Sequence, residues 1–251
     1  MTAHDILNRL ASKEPVSIIR CGDGEKILLE SNEDLQKQRR CLDSVMKRQM
    51  GYEPPLSHME EIRENLIEAY NGADIIGVPM HKNIEELSSH WKDVEITLDK
   101  YCPNHTKQLC SIDVHYDMLN AGLFDILLTG ELAVSYISCR QIEEKMMARW
   151  SIGQVNGYHI APEAKFTSGY DGPKHYPDQF IKVQRWMDKV CQPGMLLLVG
   201  GGVIGKIYCN WWRDRGGAAF DIGSIFDEWA GKVTRGPERG LDVVKQSEYT
   251  L

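Results

Sequence analysis

The segment Val16–Lys26, VSIIRCGDGEK, constrains this chain more than any other. Val16 to Ile19 is a short, mostly β-branched apolar run that reads as a buried strand. Gly22 and Gly24 follow at once and let the backbone turn tightly. Lys26 to Glu30 has helical character, so two carboxylates, Asp23 and Glu25, fall where a strand ends and a helix begins. In α/β sheets, ligands gather at such carboxyl ends of strands. Two hard oxygen ligands beside flexible glycines suit Mg²⁺ or Mn²⁺ shared with a substrate phosphate. Arg20 is placed to pair with that phosphate or with Asp23 itself. The plainer reading of the same residues is a glycine turn whose acids cap a helix.

The same grammar returns in the last third of the chain. Met195–Val199, MLLLV, reads as a fully buried strand, followed by Gly200, Gly201 and Gly202 and by a helix over Val203–Arg215. Gly216 and Gly217 stop that helix, and Ala218–Ile222 is a further strand. Between the two ends, strands are expected at Asp74–Val78, Leu109–Ile112, Tyr158–Ile160, and at Asp125–Leu128 or Val134–Ser138. Helices are expected over Asp5–Ser12, Asn32–Met50, His58–Tyr70, Ile84–Tyr101, Asp113–Asn120 and Gln141–Trp150, and from a cap at Asp178 to Val190. Alternating strands and helices predict an α/β protein with a mainly parallel sheet flanked by helices. No repeat or clear linker divides residues 1–251, which read as one domain.

Composition narrows the function classes. A formal net charge of -7 argues against a generally basic protein that coats nucleic acid, without excluding a local basic cleft. The 7 cysteines are odd in number and scattered, which favours a reducing compartment over a disulfide framework. The opening MTAHDILNRL carries acid and base within its apolar stretch, unlike a signal peptide. No run approaches the ~20 apolar residues that span a bilayer. A cytoplasmic location is expected.

Gly200–Lys206, GGGVIGK, follows a strand and opens a helix, the setting in which backbone amides cradle phosphate. The spacing of a P-loop is present, but Ile207 stands where a magnesium-binding hydroxyl belongs. A dinucleotide fingerprint also fits at Gly200–Gly205, with Asp221 as the ribose-binding acid. An NAD(P)-dependent oxidoreductase is therefore an alternative, and so is a nucleotide-binding module without catalysis. Close helix–strand packing explains the same glycines. Cys102, His105, Cys110 and His115 are soft-metal ligand types whose spacing fits no zinc pattern. Neither a nucleophile elbow nor a zinc-protease helix motif is present. Trp211 and Trp212 read as core and partial surface, whereas Trp229, among acids after a strand end, is a candidate for an acceptor or base pocket.

Taken together, IIRCGDGE and LLLVGGGVIGKIYCNWWRDRGGAAFDIGSIFDEWAG resemble the GT-D type glycosyltransferases, which pair an R-[FY]-G-D-G-E segment with a closing strand, glycine-rich turn, helix and D-I-G segment. The resemblance covers roughly the two ends, and Cys21 departs from the family's aromatic residue. It implies a Rossmann-like GT-D fold and transfer of a sugar from a nucleotide-sugar donor, with Mn²⁺ or Mg²⁺ as cofactor. Asp23 and Glu25 become the metal-linked acids, and Arg20, Gly22 and Gly24 part of the donor loop. Gly200, Gly201, Gly202, Lys206 and Asp221 complete donor binding, with Arg20 and Lys206 sharing the anionic load. Lys165, in HIAPEAKF, matches a proline-containing family segment only loosely. If the reaction inverts the anomeric carbon, Asp227, and after it Asp113, are candidates for the base that takes the acceptor's proton, each also readable as a helix cap. The acceptor is left open among a glycan, a lipid-linked saccharide, a protein and a modified nucleic-acid base.

Overall fold

The computed structural model describes residues 1–80, 93–164, 170–232, 234 and 250–251. Seven strands form one sheet: β1 (Val16–Arg20), β2 (Ile75–Val78), β3 (Leu109–Ser111), β4 (Ala133–Ser138), β5 (Gln154–His159), β6 (Leu196–Val199) and β7 (Ala218–Asp221). Their order is β3-β2-β1-β7-β6-β4-β5, and every pairing is parallel. All the carboxyl ends therefore open on one rim, and β1 and β7 lie side by side at its centre.

Alternation along the strands divides the core into two layers. Ile19, Ile76, Ile137, Leu197, Val199 and Ala219 face one side. There they meet α2 (Asp23–Leu29), α4 (Leu56–Gly72), α5 (Val94–Tyr101), α9 (Phe180–Val190) and α10 (Gly202–Arg213). Ile18, Ile75, Val134, Tyr136, Leu198 and Phe220 face the other, against α1 (Ala3–Ala11), α6 (Val114–Asn120), α7 (Leu123–Leu128), α8 (Glu143–Trp150) and α11 (Ile225–Trp229). Helices on both faces bury the central strands, whereas the edge strands β3 and β5 are only partly buried.

Most expected elements stand within a few residues of where the sequence puts them, and four differ. Asp125–Leu128 lies in helix α7, so Val134–Ser138 supplies the strand. A four-residue segment with three apolar side chains carries no period that separates the two states. The expected helix over Asn32–Met50 is two: α3 (Leu35–Cys41), then a π-helix over Leu42–Met50 that ends at Gly51 in the left-handed region, φ 79°. Asp178 does not cap α9; its carboxylate accepts the Lys174 N–H across a kinked turn in which Tyr176 is extended, φ -123° and ψ 135°. Strand β5 starts earlier than expected, at Gln154, and ends at His159. The start of the helix expected from Ile84 lies outside the described residues.

Trp229 is 1% exposed and packs edge-on against Phe124, Trp150 and Phe226, so it is core and lines no acceptor pocket. Trp212 is fully buried and Trp211 partly so, as expected. All seven cysteines are free. Among the described residues no helix is long and apolar enough to cross a membrane.

Candidate functional site

A cavity of about 360 Å³ opens at the rim where β1, β7, β6 and β4 end, within the size range of small-ligand sites. Its floor begins with β1. Arg20, the last residue of that strand, runs its side chain beside Gly77 of β2, where a β-carbon would stand 3.0 Å from the Arg20 stem. Its Nε donates to the Asp221 carbonyl at 3.0 Å and to Asp221 Oδ2 at 3.1 Å. Arg20 therefore pairs with the acid that ends β7, not with Asp23. Its Nη1 lies 2.8 Å from His115 Nε2. A guanidinium can only donate, so the imidazole nitrogen facing it accepts.

Lys206, inside the first turns of α10, is the second cation of the floor. Its ammonium contacts Glu25 Oε1 at 2.8 Å, Asp221 Oδ2 at 3.1 Å and the Gly202 carbonyl at 2.9 Å. Those three acceptors use all three of its protons. The result is a buried series of alternating charge, Arg20, Asp221, Lys206, Glu25, without net charge. Burial alone would raise the Asp221 carboxyl, but the Arg20 and Lys206 charges outweigh it and hold it below the ordinary carboxylate range. Burial likewise pulls the Lys206 ammonium down, and Asp221 and Glu25 together hold it above the ordinary lysine value. Asp221 is wholly buried and spent on two cations, so a ribose hydroxyl reaches it only by breaking an ion pair. That geometry does not favour the dinucleotide reading.

The turn after β1 forms the first turn of α2. Glu25 Oε2 accepts the Gly22 N–H at 2.9 Å, and its other oxygen holds Lys206, so both are engaged. Asp23 is half-buried, and its Oδ1 accepts the Gly24 N–H at 2.9 Å. No described residue hydrogen-bonds its other oxygen, and Asp23 lines the cavity. Among the described residues no group of three or more His, Cys, Asp or Glu side chains encloses an ion site. The zinc-type residues are dispersed: His105 bonds Asp99 and the Thr106 carbonyl, whereas His115 meets Arg20.

Packing accounts for much of the second glycine turn. A β-carbon on Gly200 would stand 2.6 Å from the Phe226 ring and 2.8 Å from the Gly223 carbonyl. One on Gly205 would stand 2.9 Å from Val199, and one on Gly201 3.1 Å from the Gly205 backbone. Gly202, φ +56°, lies in the left-handed region, and a β-carbon there would meet only Gln49 Oε1, at 3.6 Å. The first turn of α10 has no side-chain cap, and Gly200 and Gly202 line the cavity at that turn.

The opposite wall holds the two base candidates. Asp227 Oδ1 accepts from Arg140 Nε at 2.8 Å, and its Oδ2 from the Thr234 hydroxyl at 2.5 Å. Arg140 is set by the Tyr136 hydroxyl, which donates to its carbonyl at 2.9 Å. Asp113 precedes α6 and also lines the cavity, with no side-chain capping bond to that helix. Sequence reasoning missed Arg140, which follows β4 in a segment without a motif, and Tyr116 and Ser224, whose hydroxyls lie 2.5 Å apart at the rim. It also missed Arg48 and Gln49 of the π-helix, which no periodicity places at a site. Lys165 lies outside the described residues.

No curated protein matches the sequence. Solved structures do match in fold. One, from Streptococcus sanguinis, is described as a new glycosyltransferase (DUF1792); it is 14% identical, with a TM-score of 0.58 over 91% of this chain and 82% of its own. Another, domain of unknown function 1792, described as having a distinct glycosyltransferase fold, is 12% identical, with a TM-score of 0.60 over 100% of this chain and 89% of its own. A family model for the GT-D fold-like domain matches residues 2–169. That match spans well over half of the chain and takes in the strand, turn and helix that carry Arg20, Asp23 and Glu25: the chain belongs to the GT-D-like family.

Proposed function

We propose that this chain is a glycosyltransferase that draws its sugar from a nucleotide-sugar donor and needs a divalent cation, Mn²⁺ or Mg²⁺, to hold it. Family membership and the glycosyltransferase neighbours support the reaction class. The charge balance of the cavity carries the metal requirement. Its described lining has six carboxylates, Asp23, Glu25, Asp113, Glu163, Asp221 and Asp227, against four cations, Arg20, Arg48, Arg140 and Lys206. A formal excess of two negative charges repels a pyrophosphate unless a cation enters with it. The donor atoms fit such an ion: Asp23 lines the cavity with one oxygen that no described residue hydrogen-bonds, and hard cations commonly take one or two carboxylates plus phosphates and water. When bound, the cation would neutralise the leaving diphosphate as a Lewis acid.

The chain's own residues do the rest. Lys206 holds Glu25, and Glu25 holds the Gly22 amide, fixing the turn that presents Asp23. The uncapped amides of α10 favour the second phosphate. Asp227 takes the proton of the acceptor hydroxyl as the sugar's bond to the diphosphate breaks and its bond to the acceptor forms. Isothermal titration of a nucleoside-diphosphate panel, with Mn²⁺ and with chelator, tests the reading. Tight binding only with Mn²⁺ is expected, and Asp23→Asn should abolish the metal dependence while leaving the melting temperature within a few degrees. Equal affinity in Mn²⁺ and chelator removes the metal from the proposal.

A further inference from the structure

We infer that Arg48, on the π-helix over Leu42–Met50, is the side chain that grips the donor's diphosphate, an inference that rests on the glycosyltransferase reading. Four cations line the cavity, and three are committed inside the protein. Lys206 has all three protons engaged, Arg20 is held by Asp221 and His115, and Arg140 pairs with Asp227. Arg48 is exposed and makes no ion pair or hydrogen bond with any described residue. It can turn its whole fork to an incoming phosphate without giving up any described partner, and a guanidinium fork matches phosphate oxygens two at a time.

The π-helix puts Arg48 where that grip is useful. Ser44 and Arg48, four residues apart, both line the cavity, whereas Val45 and Met46 are fully buried. The next side chain, Gln49, reaches across both glycine turns. A β-carbon on Gly24 would stand 2.9 Å from Gln49 Nε2, and one on Gly202 3.6 Å from Gln49 Oε1. The ledge that carries Arg48 is thus seated over the N-terminal turns of α2 and α10, where Gly22, Asp23, Gly200 and Gly202 line the cavity. Wide helical turns of this kind often occur at functional sites, and here the distortion brings a cation over the rim.

Mn²⁺ with inorganic pyrophosphate, with UDP and with GDP serves as the probe set, titrated by calorimetry into wild type, Arg48→Ala, Arg48→Lys and the neighbouring control Lys47→Ala. Loss of a charge-assisted contact should weaken diphosphate binding roughly 10- to 100-fold in Arg48→Ala and less in Arg48→Lys. Lys47→Ala should match wild type. Melting temperatures should be unchanged, because Arg48 has no described partner to lose. Wild-type affinity in Arg48→Ala overturns the inference and leaves the glycosyltransferase reading standing. Failure of wild type to bind any of the three probes with Mn²⁺ overturns both. Weakened binding with a lowered melting temperature in both Arg48 variants also overturns the inference, since the side chain would then be holding the fold.

Discussion

Replacing Lys206 with methionine isolates what the buried charge series contributes. Methionine keeps most of the volume and removes the ammonium, leaving Glu25 and Asp221 facing each other in a space where the Lys206 side chain is 5% exposed. At 2.8 and 3.1 Å the two lost attractions are each roughly 5–6 kcal/mol at an effective dielectric of about 20. The desolvation of the ammonium, several kcal/mol, is recovered, so the net loss should be about 3–5 kcal/mol. For a chain of this length each kcal/mol lowers the melting temperature by roughly 2–4 °C, so a fall of about 6–20 °C is expected. The deficit should also depend on pH. In wild type the Asp221 carboxyl lies below its ordinary range, so its contribution is present above the unfolded value and is lost as pH falls through the folded one. Losing Lys206 raises that carboxyl, so the deficit is full at neutral pH and narrows as pH falls through the raised value. The Lys206 ammonium, held above the ordinary lysine value, stays charged throughout and adds no slope there. Calorimetric melting of both proteins between pH 4 and 8 measures this, using the whole chain. A melting difference of under about 2 °C, or one that does not change with pH, would refute the reasoning.

Two further outcomes follow from the geometry. Asp227→Asn keeps size and polarity but cannot take a proton, so turnover should fall roughly 10²–10⁴-fold with diphosphate affinity preserved; retained turnover together with a loss in Asp113→Asn would move the role to Asp113. Gly200→Ala places a methyl against Phe226 and the Gly223 carbonyl and should destabilise by about 1–3 kcal/mol, seen as a lower denaturant midpoint at unchanged slope.

Much of the architecture is visible in the sequence because local signals decide it. Ile18 and Ile19 face opposite layers and both need burial, so a strand covered on both faces follows from composition alone. GDGE reads as a strand-to-helix turn because its glycines follow an apolar run and precede a helical one, and its acids fall in the first turn of α2. The partners of those acids are another matter. Arg20 and Asp221 stand 201 positions apart, and nothing local says that they meet or that Lys206 lies between Asp221 and Glu25. The glycines of GGGVIGK look the same for phosphate or for close packing; only the positions of Phe226 and Val199 tell which applies. Arg48 escapes notice for the opposite reason. Read as an α-helix, Asn32–Met50 gives a sound apolar stripe, and the change to a wider turn at Leu42 leaves no mark in residue type.

The central adjacency of β1 and β7 also governs how the molecule comes into being. Of the seven strands, β1 is made first; one of its neighbours is β2, made next, and the other is β7, made after the other six. Until β7 emerges, β1 carries an open apolar edge, as does β4, which waits for β6. Arg20 and Glu25 wait with them, since their counter-charges Asp221 and Lys206 arrive with the same late segment. Closure of the sheet and assembly of the site are therefore one event, which waits for β7 and is of high contact order. A nascent chain halted before Leu196 would expose two unpaired parallel edges and an uncompensated arginine, a form for chaperones to hold rather than a partly working enzyme.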